Sequence, residues 1–292
     1  MRVLIVGCGY VGLPLGVALV RQGHAVSGLR RNPDAAGELE AAGIRPLFAD
    51  ITRPGELENL PRDFDWVVNC AASGGGDMAA YRELYLTGNR NLIEWLRAAP
   101  PRRYVYTSST SVYGQNDGSL VVETDPVAPE TETGKILVLT ENLLLAAATE
   151  IKFPAVILRL AGIYGPGRGY WLKQFLNGEA RIEGDGSRLL NMIHREDAAG
   201  AVIAALNHSP VGQVFNVVDN EPVSQSDFFK WLAEKLGRPL PPTAPADAAT
   251  SRRRGVTNKR VSNQRLKKLL GYEFKYPTFR QGCTAEIQRP ML

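Results

Sequence analysis

The chain has 292 residues, a formal net charge of +4, and only three cysteines and three histidines. It is long enough to bury a large core, and its sparse Cys8, Cys70 and Cys283, with no C-x-x-C pair, and scattered His24, His194 and His208 exclude a disulfide framework and a metal-ligand constellation. No apolar run reaches spanning length and residues 3–6 are too short for a signal-peptide core, so the expectation is a cytoplasmic α/β enzyme-like chain with no membrane role.

Residues 3–16 read VLIVGCGYVGLPLG, an apolar strand entering Gly7-Cys8-Gly9-Tyr10-Val11-Gly12 and then a helix. This is the context in which G-x-G-x-x-G binds a dinucleotide. Gly7 makes the tight turn, Gly9 lets the backbone approach a pyrophosphate, and Gly12 lets helix and strand pack closely. The loop backbone through Tyr10 and Val11 therefore belongs to the expected cofactor site. Cys8 inside it reads as a small buried filler rather than a thiolate.

The next strand, Ala25 to Leu29, ends in Arg30-Arg31 where an NAD site would carry an acid for the ribose. Two guanidinium groups suit a 2′-phosphate and offer a diol no acceptor, so NADP is expected over NAD. Further apolar runs at Ile44 to Phe48, Asp65 to Ala71, Arg103 to Ser108 and Ala155 to Leu160 alternate with helical patterns. They predict a doubly wound parallel sheet with helices on both faces. Val214 to Val218 predicts a seventh strand returning to it. A nucleotide domain over 1–165 and, mainly, a smaller substrate lobe over 166–292 follow, the change marked by the glycine-rich Tyr164-Gly165-Pro166-Gly167-Arg168-Gly169. Residues 226–236 read as a helix with Phe228, Phe229, Trp231, Leu232 and Leu236 on its apolar face, followed by a proline-rich connector.

Five segments, VVNCAA (67–72), RYVYTSSTSVYG (103–114), VILRLAGIYGPG (156–167), GDGSRLLNMIHREDAA (184–199) and VFNVVDNEPVS (214–224), occur in the order seen in extended short-chain dehydrogenase/reductases. The chain resembles the NAD-dependent epimerase/dehydratase group of that superfamily along nearly its whole length. The resemblance implies a seven-stranded Rossmann domain, a small C-terminal lobe and a nicotinamide between them. It implies Asp50 and Ile51 beside the adenine, and Ala71 and Ala72 near the inner ribose and phosphates.

Carried over residue by residue, the catalytic set of that group is degraded. Ser109 occupies the place of its Ser or Thr. Registering the family's Y-G-x-x-K and later Glu on Gly134 and Glu141 puts Thr133 at the tyrosine and Leu137 at the lysine; a frame using Lys135 finds Thr131 instead. Tyr85 stands where the group has Asn, and Leu190 where it often has a diphosphate-binding Arg. Thr133 cannot ionise usefully, so another proton donor is needed. Tyr85 is the first candidate, with Tyr113, Tyr164 and His194 also in segments bordering the implied cleft.

Eight bases and no acid fall within residues 248–272: Arg252, Arg253, Arg254, Lys259, Arg260, Arg265, Lys267 and Lys268. The run reads either as a solvated face or as a site for an anionic substrate or cofactor phosphate; nucleic acid is the weakest partner, because no aromatics are interleaved. Residues 136–148, ILVLTENLLLAAA, are apolar all round, and the resemblance implies a helix pairing with its copy in a homodimer. The expected activity is an NADP-dependent oxidoreductase or epimerase-like reaction on a small polar or anionic carbonyl or sugar-like substrate. The alternative is a catalytically silent NADP(H)-binding sensor or assembly protein.

Overall fold

In the computed structural model, which describes residues 1–75, 77–245 and 257–289, the seven apolar runs form seven strands. These are β1 (Arg2–Val6), β2 (Ala25–Arg30), β3 (Arg45–Phe48), β4 (Trp66–Asn69), β5 (Arg103–Ser109), β6 (Ala155–Leu160) and β7 (Val214–Val217). All pair in parallel, in the order β3-β2-β1-β4-β5-β6-β7. The order reverses between β1 and β4. In a doubly wound sheet a ligand lies at that reversal, beyond the carboxyl ends of the strands.

The strands read as continuous apolar runs because both faces of the sheet are covered. On one face Val3, Ile5, Val68 and Val105 pack with Leu15 and Leu19 of α1 (Gly12–Arg21). On the other, Leu4, Val6, Val67 and Tyr104 pack with Leu92 of α2 (Gly88–Leu96) and Leu144 of α3 (Glu132–Glu150). Helix α3 begins where Thr131 accepts a hydrogen bond from the Gly134 amide, four residues before the expected apolar stretch. Strand β4 stops at Asn69 rather than Ala71, because Cys70 and Ala71 turn to run beside the glycine loop.

A third core holds the smaller lobe. It joins Leu172 and Phe175 of α4 (Tyr170–Leu176), Phe228, Phe229 and Leu232 of α6 (Gln225–Leu236), and Phe279 and Cys283 of α8 (Phe279–Gln288). Not all of the chain after residue 165 belongs to it. Besides β7, Ala198 and Val202 of α5 (Arg195–His208) and Leu266 and Leu270 of α7 (Gln264–Leu270) pack into the first sheet core. Of the basic run, Arg252, Arg253 and Arg254 lie outside the described residues. No described helix is long and apolar enough to cross a membrane.

Candidate active-site cleft

A cleft of about 1020 Å³ opens at the reversal point, bordered by the glycine loop, the ends of β2, β5 and β6, and the first residues of α4. The fingerprint glycines divide their work as steric chemistry requires. Gly7 has φ +76°, and a Cβ there would lie 2.4 Å from the Cα of Ala71, so only glycine fits. At Gly12 a Cβ would meet the Gly7 carbonyl oxygen at 2.8 Å and Ile5 at 3.0 Å, fixing the helix against the strand. A Cβ at Gly9 would find its nearest atom, the Gly7 carbonyl oxygen, 3.9 Å away, so the space beside Gly9 is open, and Gly9 lines the cleft. Helix α1 starts with no side-chain cap and no acid in its first turn. Such an end suits a pyrophosphate, so the residues present fit a dinucleotide.

Cys8 packs against Gly28 of β2, where a Cβ would be 3.0 Å from its sulfur. Burial pushes its thiol up to about 12, so it is a filler and not a thiolate. The ring of Tyr10 lies between two guanidinium groups, Arg168 at 5.0 Å and Arg195 at 4.9 Å from its centroid. Arg168 comes from the glycine-rich loop after β6. It lines the cleft with Lys173, and neither was anticipated as a site residue.

Arg30 and Arg31 both border the far end of the cleft, with unequal roles. Arg30 donates through Nε to the Cys8 carbonyl at 2.5 Å and pairs with Glu38 at 3.0 Å, so it braces the glycine loop. Arg31 is 67 % exposed, with Asp50 at 3.9 Å, and is the more available for an incoming anion. Ile51 lines the cleft, as do Ala71 and Ala72; Asp50 accepts through Oδ1 from the Thr52 amide and hydroxyl at 2.9 and 2.8 Å, and its Oδ2 faces Arg31 at 3.9 Å.

Ser109 closes β5 and borders both the cleft and an inner recess of about 290 Å³. Its Oγ accepts from the Ser111 amide at 3.2 Å and keeps its own proton to donate. Leu137 lines the cleft wall, so an apolar side chain stands where the resemblance implies a lysine. Thr133 is buried in the first turn of α3 beside Thr131, its hydroxyl 3.3 Å from the Thr131 hydroxyl, and does not line the cleft. The alternative frame fails on geometry, because Lys135 is exposed and pairs with Glu132 at 2.7 Å.

Of the four proposed proton donors, only Tyr85 borders the cleft. Its hydroxyl accepts from the Ser73 amide at 3.2 Å, and its ring packs on Tyr81 at 4.3 Å. Tyr113 is fully buried and donates to Asn216 at 2.8 Å, a structural role. Tyr164 belongs to the core of the smaller lobe, its hydroxyl pressed over Gly282, although its residue also borders the recess. His194 caps α5 through Nδ1, which accepts from Glu196 at 3.2 Å, and its Nε2 meets Glu286 at 3.2 Å. Lys259 departs from the solvated reading of the basic run: it is 3 % exposed and lines the recess.

The sequence model of the NAD dependent epimerase/dehydratase family matches residues 3–217, most of the chain and all seven strands. The chain belongs to that family. Relatives of this family member include Protein YeeZ of Escherichia coli K12, 30 % identical over 286 residues that cover 94 % of this chain and 96 % of YeeZ. The 3-diazoavenalumate denitrifying reductase of a Streptomyces species is 27 % identical, covering 98 % of this chain and all of the relative. Among solved structures, a conserved protein of unknown function from Silicibacter pomeroyi is 35 % identical and superposes with a TM-score of 0.80 over 98 % of both chains.

Proposed function

We propose that this protein is an NADP-dependent reductase of a small polar carbonyl compound. The observation that carries the reading is the pairing, within one cleft, of an open glycine loop flanked by Arg31 with a free-to-donate Ser109 hydroxyl at the opposite end. The glycine loop and Arg31 would hold NADPH along that cleft, and the cofactor would supply the hydride for the carbonyl carbon. Ser109 donates a hydrogen bond to the carbonyl oxygen and withdraws charge from it. The oxygen then takes a proton from the hydroxyl of Tyr85, one of several tyrosines lining the cleft, and the Ser73 amide bonded to Tyr85 stabilises the oxygen left behind. The full-length likeness to a Streptomyces reductase supports a reductive direction.

Thr133 and Leu137 support a second reading, a silent NADP(H)-binding sensor, since neither can act as phenol or cation. Calorimetric titration with NADPH and NADH, followed by NADPH-oxidation assays on a panel of carbonyl compounds, separates the two. The expected result is preferential NADPH binding, little turnover of nucleotide sugars, and at least about tenfold lower turnover of the true substrate in Ser109→Ala with NADPH affinity kept. A preference for NADH refutes the cofactor assignment, and an active enzyme indifferent to Ser109→Ala refutes the mechanism.

Two further attributes belong to the proposal. The chain pairs with a second copy through the outer face of α3, where Leu139 is 44 % exposed; light scattering that gives a monomer at micromolar concentration refutes this. With Cys8, Cys70 and Cys283 all free, its compartment is the reducing cytoplasm.

A further inference from the structure

The inner recess holds a charge that its protein surroundings do not balance. The Lys259 side chain reaches it from the segment before Arg260–Val261, a short strand held in parallel against Leu120–Val121. Its ammonium donates to two neutral oxygens, the Tyr113 carbonyl at 2.9 Å and the Thr257 hydroxyl at 2.8 Å. Among the described residues no carboxylate lies within ion-pair distance of it. Buried lysines are ordinarily paired, because an isolated ammonium is costly away from water. Burial alone draws its pKa down to about 8, with no anion pulling the other way.

The walls around Lys259 are largely apolar, with Leu189, Leu190, Met192 and Phe228 among them. The other basic side chain there, Arg188, already meets Glu183 at 3.0 Å. An ammonium has three N–H donors and two are used, so one is available to a ligand. Lys259 lines the recess and not the larger cofactor cleft, while Ser109 lines both. A substrate reacting beside Ser109 would therefore meet Lys259 with its remote end. At about 290 Å³ the recess is at the lower limit of small-molecule sites, about 300 Å³.

We propose that the recess is the substrate's carboxylate subsite, with Lys259 as the counter-ion that selects a small monocarboxylate with an apolar body. This rests on the reading of the cleft as an NADP-dependent reductase and narrows its substrate class. A single ammonium in a small apolar recess balances the one charge of a carboxylate and would leave the second charge of a phosphate dianion buried without a partner.

Benzoate, its neutral counterpart benzamide, and inorganic phosphate serve as probes, titrated at constant ionic strength into NADPH-saturated protein. Benzoate is expected to bind at least tenfold more tightly than benzamide and phosphate. In Lys259→Met that preference should disappear while benzamide binding and NADPH affinity are kept. In the wild type, reductive methylation of Lys259 by formaldehyde and cyanoborohydride, read by mass spectrometry, should slow at least fivefold with benzoate and not with benzamide; this arm stands even where the variant fails to fold. No preference for benzoate, equal preference in Lys259→Met, phosphate as the tightest ligand, or no protection of Lys259 each overturns the proposal. Titration of NADPH alone separates the two readings. Normal NADPH binding without benzoate preference fails the subsite only, whereas benzoate recognition by protein that does not bind NADPH fails the reductase reading.

Discussion

Glu141 offers the sharpest test of what holds the catalytic edge of the sheet in place. Its carboxylate accepts from Ser108 Oγ at 2.5 Å, from Arg159 Nη2 at 2.7 Å and from Arg159 Nε at 3.1 Å, with the two ionised side chains only 2 % and 5 % exposed. Arg159 passes the network on to the Tyr113 hydroxyl at 2.8 Å, which donates to Asn216 at 2.8 Å, so one cluster ties α3 to β5, β6 and β7. Glu141→Gln keeps the volume and an acceptor but leaves the guanidinium buried without its counter-charge, a loss of about 3–5 kcal/mol. At about 2–4 °C per kcal/mol for chains approaching this size, Tm should fall by roughly 6–20 °C. Replacing both partners, as Glu141→Leu with Arg159→Met, removes the uncompensated charge and should recover most of that loss. Thermal unfolding followed by circular dichroism of the wild type and all the corresponding single and double variants measures the coupling. Because the pair is shielded from water, its contribution should persist at high salt. A Tm change under 2 °C in Glu141→Gln, or no recovery in the double variant, refutes the claim that this pair braces Ser108 and its neighbour Ser109.

Three other outcomes follow from single groups. Arg31→Ala should weaken NADPH by roughly tenfold to a hundredfold, the loss of one charge-assisted hydrogen bond of about 1.5–3 kcal/mol, while NADH binding stays level; equal losses by calorimetry would refute a 2′-phosphate contact. Burial holds His194 below its ordinary 6.5 despite the neighbouring Glu286, so the folded state favours the neutral ring more than the unfolded chain does. The stability this gives is complete above pH 6.5 and is lost as the pH falls through the lower folded value. His194→Asn, which keeps a cap acceptor, should flatten that acid limb in urea unfolding, and an unchanged limb would count against the assignment. Tyr85→Phe should lower turnover of an identified carbonyl substrate by at least about tenfold with NADPH affinity kept, and full activity would remove Tyr85 from the chemistry.

The legible parts of this protein are those governed by local or periodic rules. Each sheet strand was visible as an apolar run because a parallel sheet buries both of its faces. The glycine loop was visible because its spacing meets fixed steric demands: the Cβ clash at Gly7 and the close packing at Gly12 arise from backbone geometry within one turn. The illegible parts depend on partners distant in sequence. The basic run left Lys259 open between a solvated face and an anion site, and it is buried because the strand that follows it pairs with residues near 120, some 140 positions away. Tyr10 was legible as a loop residue, but its contacts with Arg168 and Arg195, more than 150 positions away, were not.

The two ends of the cleft are constrained by different physics, which bears on what can vary within this family. At the cofactor end the constraint is backbone: a methyl group at Gly7 would have to displace Ala71, and through it the end of β4. Substitution there disturbs the sheet itself. At the substrate end the groups that decide chemistry are side chains on a finished scaffold. Leu137 sits on α3 two turns after its N-cap and is itself buried in the first sheet core, while Leu144 and Ala147 of the same helix pack into the second. An apolar side chain can therefore stand in the lysine's place without loss of the fold. The cost is local and chemical: no cation stands at this point of α3 to lower the pKa of a neighbouring phenol, and the basic side chains Arg168 and Lys173 that line the cleft come from the loop after β6 and from α4. In the proposed reaction, polarisation of a substrate carbonyl then falls to a neutral donor, Ser109, which lines both the cofactor cleft and the Lys259 recess. Neutral donors act best on a carbonyl already activated by its own substituents. Under the proposed reductase reading the site is matched to an electrophilic carbonyl, and the carbonyl panel should show activity rising with substrate electrophilicity more steeply than a phenolate-lysine site would require.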